Sequence, residues 1–165
     1  MAKAEMEGSL YAGAIATGIV SLLPYVNVFI FPAYVLGALV AVWFAVRQGG
    51  QILQYKDGAK LGFLSTFLGS MVAVLLVDLL WIFLDYQLWQ RQNSALLLAI
   101  FRFFAKPVTV DMMRDAFAQQ AAKPFQWYVL IFQLLGNAIF CGLFGTLFGV
   151  LGVKIFRPQR SLGVA

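Results

Sequence analysis

The chain has 165 residues, of which 62% are hydrophobic and only 12% charged, with a mean hydropathy of +0.84. Soluble domains run near about 45–50% apolar and about 25% charged, and so short a chain has too little interior to bury this excess, so a membrane protein is expected. The net charge of +5 is spread singly between apolar runs rather than clustered, which argues against a nucleic-acid partner.

Histidine is absent and Cys141 is the single cysteine. The commonest metal ligand and general base are thus missing, and no intrachain disulfide can form. No cofactor or metal is expected. At the N-terminus, Lys3 is offset by Glu5 and Glu7 in "MAKAEMEG", and the apolar run after it is longer than a signal-peptide core. An uncleaved first span is the expectation.

No charged residue occurs from Gly8 to Val46. As one helix that stretch would be about 58 Å long, against a hydrocarbon core of about 30 Å, so the chain must turn back. Pro24 and Pro32 flank Asn27 and place the reversal in "LPYVNVFIFP". The first span is then about 9–23 and the second about 29–46. The first is short for a full crossing, which leaves a re-entrant hairpin open as an alternative.

The polar stretch "RQGGQILQYKDGAK" leads to a third span, about 61–86, and a fourth follows Pro124, about 125–156. The fold class predicted is all-α: an integral membrane bundle of four transmembrane helices, forming a single domain over 1–165. Four crossings put both termini on one side. That side collects Lys3, Arg47, Lys56, Lys60, Lys154, Arg157 and Arg160, against Arg91, Arg102, Lys106, Arg114 and Lys123 on the other. The positive-inside rule then makes both termini cytoplasmic.

The outer connection, about 87–123, reads as two short amphipathic helices. Ser94 is the expected N-cap of the first, which Lys106-Pro107 stops, and Thr109 is the expected cap of the second. Met113, Ala116, Phe117 and Ala121 share a face, opposite Asp111, Arg114 and Asp115. The pair is either a lid or an ordinary surface layer.

Small residues recur at helical spacing. Ala138, Gly142, Gly145, Gly149 and Gly152 form a stripe on span four, and Gly58, Gly62, Ser65 and Gly69 form one on span three. Lipid tails are as apolar as leucine, so membrane helices associate through the close backbone contact that small residues allow. Gly62, Gly69, Gly142, Gly145 and Gly149 are the expected packing positions, in the manner of a glycine zipper. Spacing leaves open whether the contact is within one chain or between copies.

Trp81, Tyr86 and Trp89 look like an interfacial belt, which puts Asp85 at the membrane surface and Asp78 about 12 Å deeper. A charged Asp at the centre of a spanning helix costs about 2.5–3.5 kcal/mol on insertion scales and needs water, a partner or a proton. Gln133 and Asn137 of span four, with Thr17 and Ser21 of span one, fall at a similar level. These five residues are the candidate intramembrane polar layer, with Asp78 bonded to Asn137 or Gln133. The layer either holds the helices together or marks a solute, proton or cation pathway.

The Leu-Pro-aromatic hairpin, "YKDGAKLGFLSTFLG" and the Gly-rich "GLFGTLFGVLGVKIF" together resemble uncharacterised bacterial four-span membrane families of unknown function. The resemblance implies a four-helix membrane architecture and a prokaryotic inner membrane. Those families have no established activity, so no functional residue carries over. The function expected is a non-enzymatic accessory, assembly or scaffold subunit, partnered by the bilayer and by other subunits or copies of itself. The alternative is a small oligomeric channel or transporter using Asp78. A nucleophile–base pair, an acid pair at one depth and a phosphate loop are all missing, so an enzyme is not expected.

Overall fold

The computed structural model describes residues 2–23, 31–48, 50 and 52–156, with side chains from Met6 onward. Every regular element among them is helical: α1 (Ala2–Leu22), α2 (Phe31–Arg47), α3 (Tyr55–Leu84), α4 (Leu88–Phe104), α5 (Pro107–Ala121), α6 (Trp127–Phe140) and α7 (Thr146–Phe156). A π turn, Cys141–Gly145, joins α6 to α7, so that Trp127–Phe156 runs as one helix of 30 residues. The expected reversal, centred near Tyr25 to Asn27, and the basic tail with Arg157 and Arg160 lie outside the described residues.

Among the described residues two helices, Tyr55–Leu84 and Trp127–Phe156, are long and apolar enough to cross a membrane, where the sequence reading expects four such spans. Each covers about 45 Å at 1.5 Å per residue. The apolar α2 has 17 residues, short of the usual requirement of about 20. The 21 residues of α1 include Lys3, Glu5 and Glu7 in its first turns.

Local chemistry fixes the ends of α3. The Asp57 carboxylate accepts the Gln54 backbone N–H at 3.3 Å, satisfying one of the donors that a helix start leaves open. The helix stops at Asp85, whose φ of 51° is left-handed, a region Asp enters more readily than most residues. The next helices start earlier than their expected caps. Good helix formers in "LWQRQ" carry α4 back to Leu88, so Ser94 is not a cap and instead donates to the Arg91 carbonyl at 3.1 Å. Pro107 occupies the first turn of α5, where its fixed φ suits the helix, so Thr109 lies inside it.

Helices α1, α2, α3 and α7 pack together, α4 pairs with α5, and α6 leans on α3. The tight contacts are made by glycine. A Cβ on Gly58 would stand 2.7 Å from the Gly149 carbonyl oxygen, and one on Gly62 would stand 2.8 Å from the Gly149 Cα and press on the Gly145 carbonyl. Gly69 meets α1 instead, where a Cβ would lie 2.7 Å from the Thr17 Cβ. Ala41, Val42, Ala45, Leu61 and Val153 fill the core beside these crossings.

Gly142 departs from the expected stripe, with no atom of another helix within 4 Å of where its Cβ would be. The π turn is the reason. It adds a residue to the turn and breaks the uniform 100° phase that placed Gly142 in line with Gly145 and Gly149.

Candidate functional site

A polar cavity of about 350 Å³ lies where α3 ends and α6 begins, roofed by α4 and α5. Asp78 lies on α3 two turns before its end, Gln133 on α6 two turns after its start, and both line this cavity. Gln87 lines it from the α3–α4 link, Asn93 from α4 and Gln120 from α5. The indoles of Trp81 and Trp89 add aromatic wall, Trp81 standing edge-on to Phe125 at 5.1 Å.

A second cavity of about 220 Å³ shares Trp89, Asn93 and Gln133 with the first, and Ser21, Tyr34 and Asn137 line it. Tyr34, on α2, donates its hydroxyl to Asn137 Oδ1 at 2.5 Å.

The expected bond from Asp78 to Asn137 or Gln133 is not formed. Asn137 is engaged by Tyr34, and the larger cavity lies between the outer turns of α3 and α6. Asp78 is 3% exposed, and neither carboxylate oxygen has a hydrogen-bond partner among the described residues. Gln133 Oε1, Gln87 Oε1 and Asn93 Oδ1 are likewise buried and unbonded, as are the indole nitrogens of Trp81 and Trp89. Most buried polar atoms in proteins are paired, so such a concentration around one cavity is unusual.

Thr17 is buried but stands apart from the cavities, donating to the Gly13 carbonyl at 2.9 Å in the crossing of α1, α2 and α3. The five expected members of the polar layer thus divide into three settings. Asp78 and Gln133 share the larger cavity, Ser21 and Asn137 face the smaller, and Thr17 lies in the packed helix contact.

Asp78 has no arginine in salt-bridge distance among the described residues. Arg91 sits 4.8 Å over the Tyr86 ring, and Arg114 pairs with Asp111 at 3.2 Å. The basic residue lining the larger cavity is Lys123, which is exposed and has no carboxylate within salt-bridge distance among the described residues. The described residues hold no cluster of three or more His, Cys, Asp or Glu side chains that would fit a metal ion.

Gln87 and Asn93 fall outside the site residues expected from sequence, because both precede the expected cap Ser94 and read as part of the polar connection. The signal that marks them is the density of amides, with Gln87, Gln90, Gln92 and Asn93 inside seven positions. Comparison with protein-family models, curated proteins and solved structures finds no match.

Proposed function

We propose that this chain is a four-crossing integral membrane protein, with both termini cytoplasmic in a bacterial inner membrane, that binds a small polar solute beneath α4 and α5. Its class is a carrier or channel without enzymatic activity. The observation that carries the reading is the Asp78 carboxylate, buried and unpaired in a cavity large enough for a small molecule. Acidic side chains inside spanning helices are expensive and commonly mark solute or ion pathways. Four crossings are supported by the uncharged stretch from Gly8 to Val46 and by the close packing of α1 and α2 against α3 and α7.

Reconstituted into liposomes, the protein should admit at least one of protons, methylammonium, urea or glycerol, read by an internal pH dye and by light scattering. Asp78→Asn should abolish that flux while leaving far-UV circular dichroism unchanged. Wild-type liposomes impermeable to all four would remove the carrier or channel reading.

An accessory or scaffold subunit is the second reading, favoured by α6. That helix has no buried residue, and Ile131, Phe132, Leu135 and Ile139 are all largely exposed along it. Copurification of a stoichiometric membrane partner in mild detergent would favour it, and repeated isolation of this chain alone would count against it.

A further inference from the structure

The chemistry of the cavity wall narrows the solute more than the cavity volume does. Building on the solute-binding reading, we infer that the larger cavity takes an organic monocation whose charged group carries N–H donors, a primary ammonium or a guanidinium, seated on Asp78 between the Trp81 and Trp89 indoles.

The unpaired acceptors whose identity is fixed belong to Asp78 and Gln87. Three such oxygens stand unpaired there, both Asp78 carboxylate oxygens and Gln87 Oε1, while Asn93 and Gln133 each carry an NH2 beside their unpaired oxygen. Two unpaired donors, the indole N–H groups of Trp81 and Trp89, stand against them. Gln87 settles its own amide orientation. Its Nε2 donates to the Ala121 carbonyl at 3.1 Å and the Lys123 carbonyl at 3.3 Å, which leaves Oε1 as the free end of a side chain only 5% exposed. A ligand seated against Asp78 and Gln87 Oε1 brings N–H donors.

A positive charge on the ligand balances the carboxylate in place of a proton. A buried carboxylate without a partner is costly, and a neutral donor satisfies its hydrogen bonds without balancing its charge. A bare divalent ion fits poorly, because Asp78 is the one carboxylate on the wall and hard cations gather several oxygen ligands at 2.0–2.6 Å. Indole faces attract organic cations as well. Lys123 is the other charged group lining the cavity, and its ammonium repels a second positive charge on the ligand. A single cationic group is the consequence. The same chemistry is offered by a free amine and by the headgroup of an ethanolamine lipid.

The chain has four tryptophans, so Trp43→Phe with Trp127→Phe leaves Trp81 and Trp89 as the only indole reporters, both on the cavity wall. This protein, in nanodiscs of phosphatidylglycerol, is titrated with the chlorides of butylammonium, guanidinium, tetramethylammonium and sodium, and with butanol and urea. Butylammonium and guanidinium should change the indole emission saturably, at concentrations at least tenfold below tetramethylammonium, which has no N–H. Sodium and butanol should produce no saturable change. Asp78→Asn should weaken butylammonium at least tenfold, and Lys123→Gln should tighten it. The wild-type contrast between probes stands even where a variant fails to fold.

Urea or butanol binding as tightly as butylammonium would overturn the monocation and leave the solute-binding reading intact. Saturation by sodium alone would overturn the organic ligand. No saturable response to any probe would overturn both the inference and the reading beneath it. Repeating the titration with phosphatidylethanolamine in the disc separates the sources: a raised butylammonium midpoint identifies the lipid headgroup, and an unchanged one the free amine.

Discussion

The packing of α3 on α7 makes opposite demands at two glycines that sequence spacing treats alike. In Gly62→Ala the new Cβ would stand 2.8 Å from the Gly149 Cα and press on the Gly145 carbonyl. Both obstacles are backbone, so no rotamer change relieves them and the helices must part. In Gly142→Ala the Cβ meets nothing within 4 Å. Each substitution gains the same helix propensity, about 0.8–1.0 kcal/mol, so their difference isolates the clash. Overpacking costs about 1–3 kcal/mol, which is roughly a five- to 150-fold difference in the unfolding equilibrium. Titrating mixed micelles with sodium dodecyl sulfate, followed by tryptophan emission and far-UV circular dichroism, measures it. Gly142→Ala should be neutral or stabilising and Gly62→Ala less stable than it by at least about 1 kcal/mol, a threshold set by the overpacking range. Equal stability of the two within about 0.5 kcal/mol would refute the close α3–α7 contact.

Tyr34→Phe removes the hydroxyl that Asn137 accepts and should cost about 1–3 kcal/mol in the same titration. Combined with Asn137→Ala, the double-mutant cycle should return a coupling energy of at least about 0.5 kcal/mol, and strict additivity would argue against the bond. Gly50 has a φ of +59° with nothing within 4 Å of where its Cβ would be, so Gly50→Ala should cost about 1–2 kcal/mol through backbone strain alone. Gly50→Asn should cost less, because Asn tolerates that region, and the same detergent midpoints rank the three proteins.

Hydropathy and charge spacing suffice to read the helical class and the long apolar helices containing Asp78 and Gln133, because unbroken apolar runs of that length have few other solutions. Helix ends are less legible. Ser94 and Thr109 have the chemistry of caps, but "LWQRQ" and Pro107 start their helices sooner. The phase error at Gly142 has a different origin. Nothing in "CGLFGT" announces a π turn, so a fixed angle per residue carries the stripe one position too far. At the candidate site, the depth of Asp78 is calculable from helix rise, but its partners are not. Residues level along the membrane normal need not touch: Asn137 is engaged by Tyr34 of α2, an aromatic that sequence pattern gives no reason to pair with it.

The division between the two ends of the molecule follows from how far each polar side chain reaches. Thr17, Ser65, Thr66 and Ser70 are all buried, and each donates to a carbonyl three or four residues back on its own helix. A short hydroxyl satisfied in this way needs nothing from its neighbour, so it can stand beside glycine where two backbones approach. Thr66 does so against Gly145. The buried Asp78 carboxylate and the amides of Gln87, Asn93 and Gln133 have no such local solution. They carry more hydrogen-bonding capacity on a longer stem, and in this chain they gather where α4 and α5 roof the gap between α3 and α6. Beyond that gap the glycine contacts of α3 with α7 leave no room for a side chain, still less for a solute. If the proposed solute path runs along the bundle, α3 and α7 must separate to open it, so the proposed transport would need a change of shape rather than a standing pore.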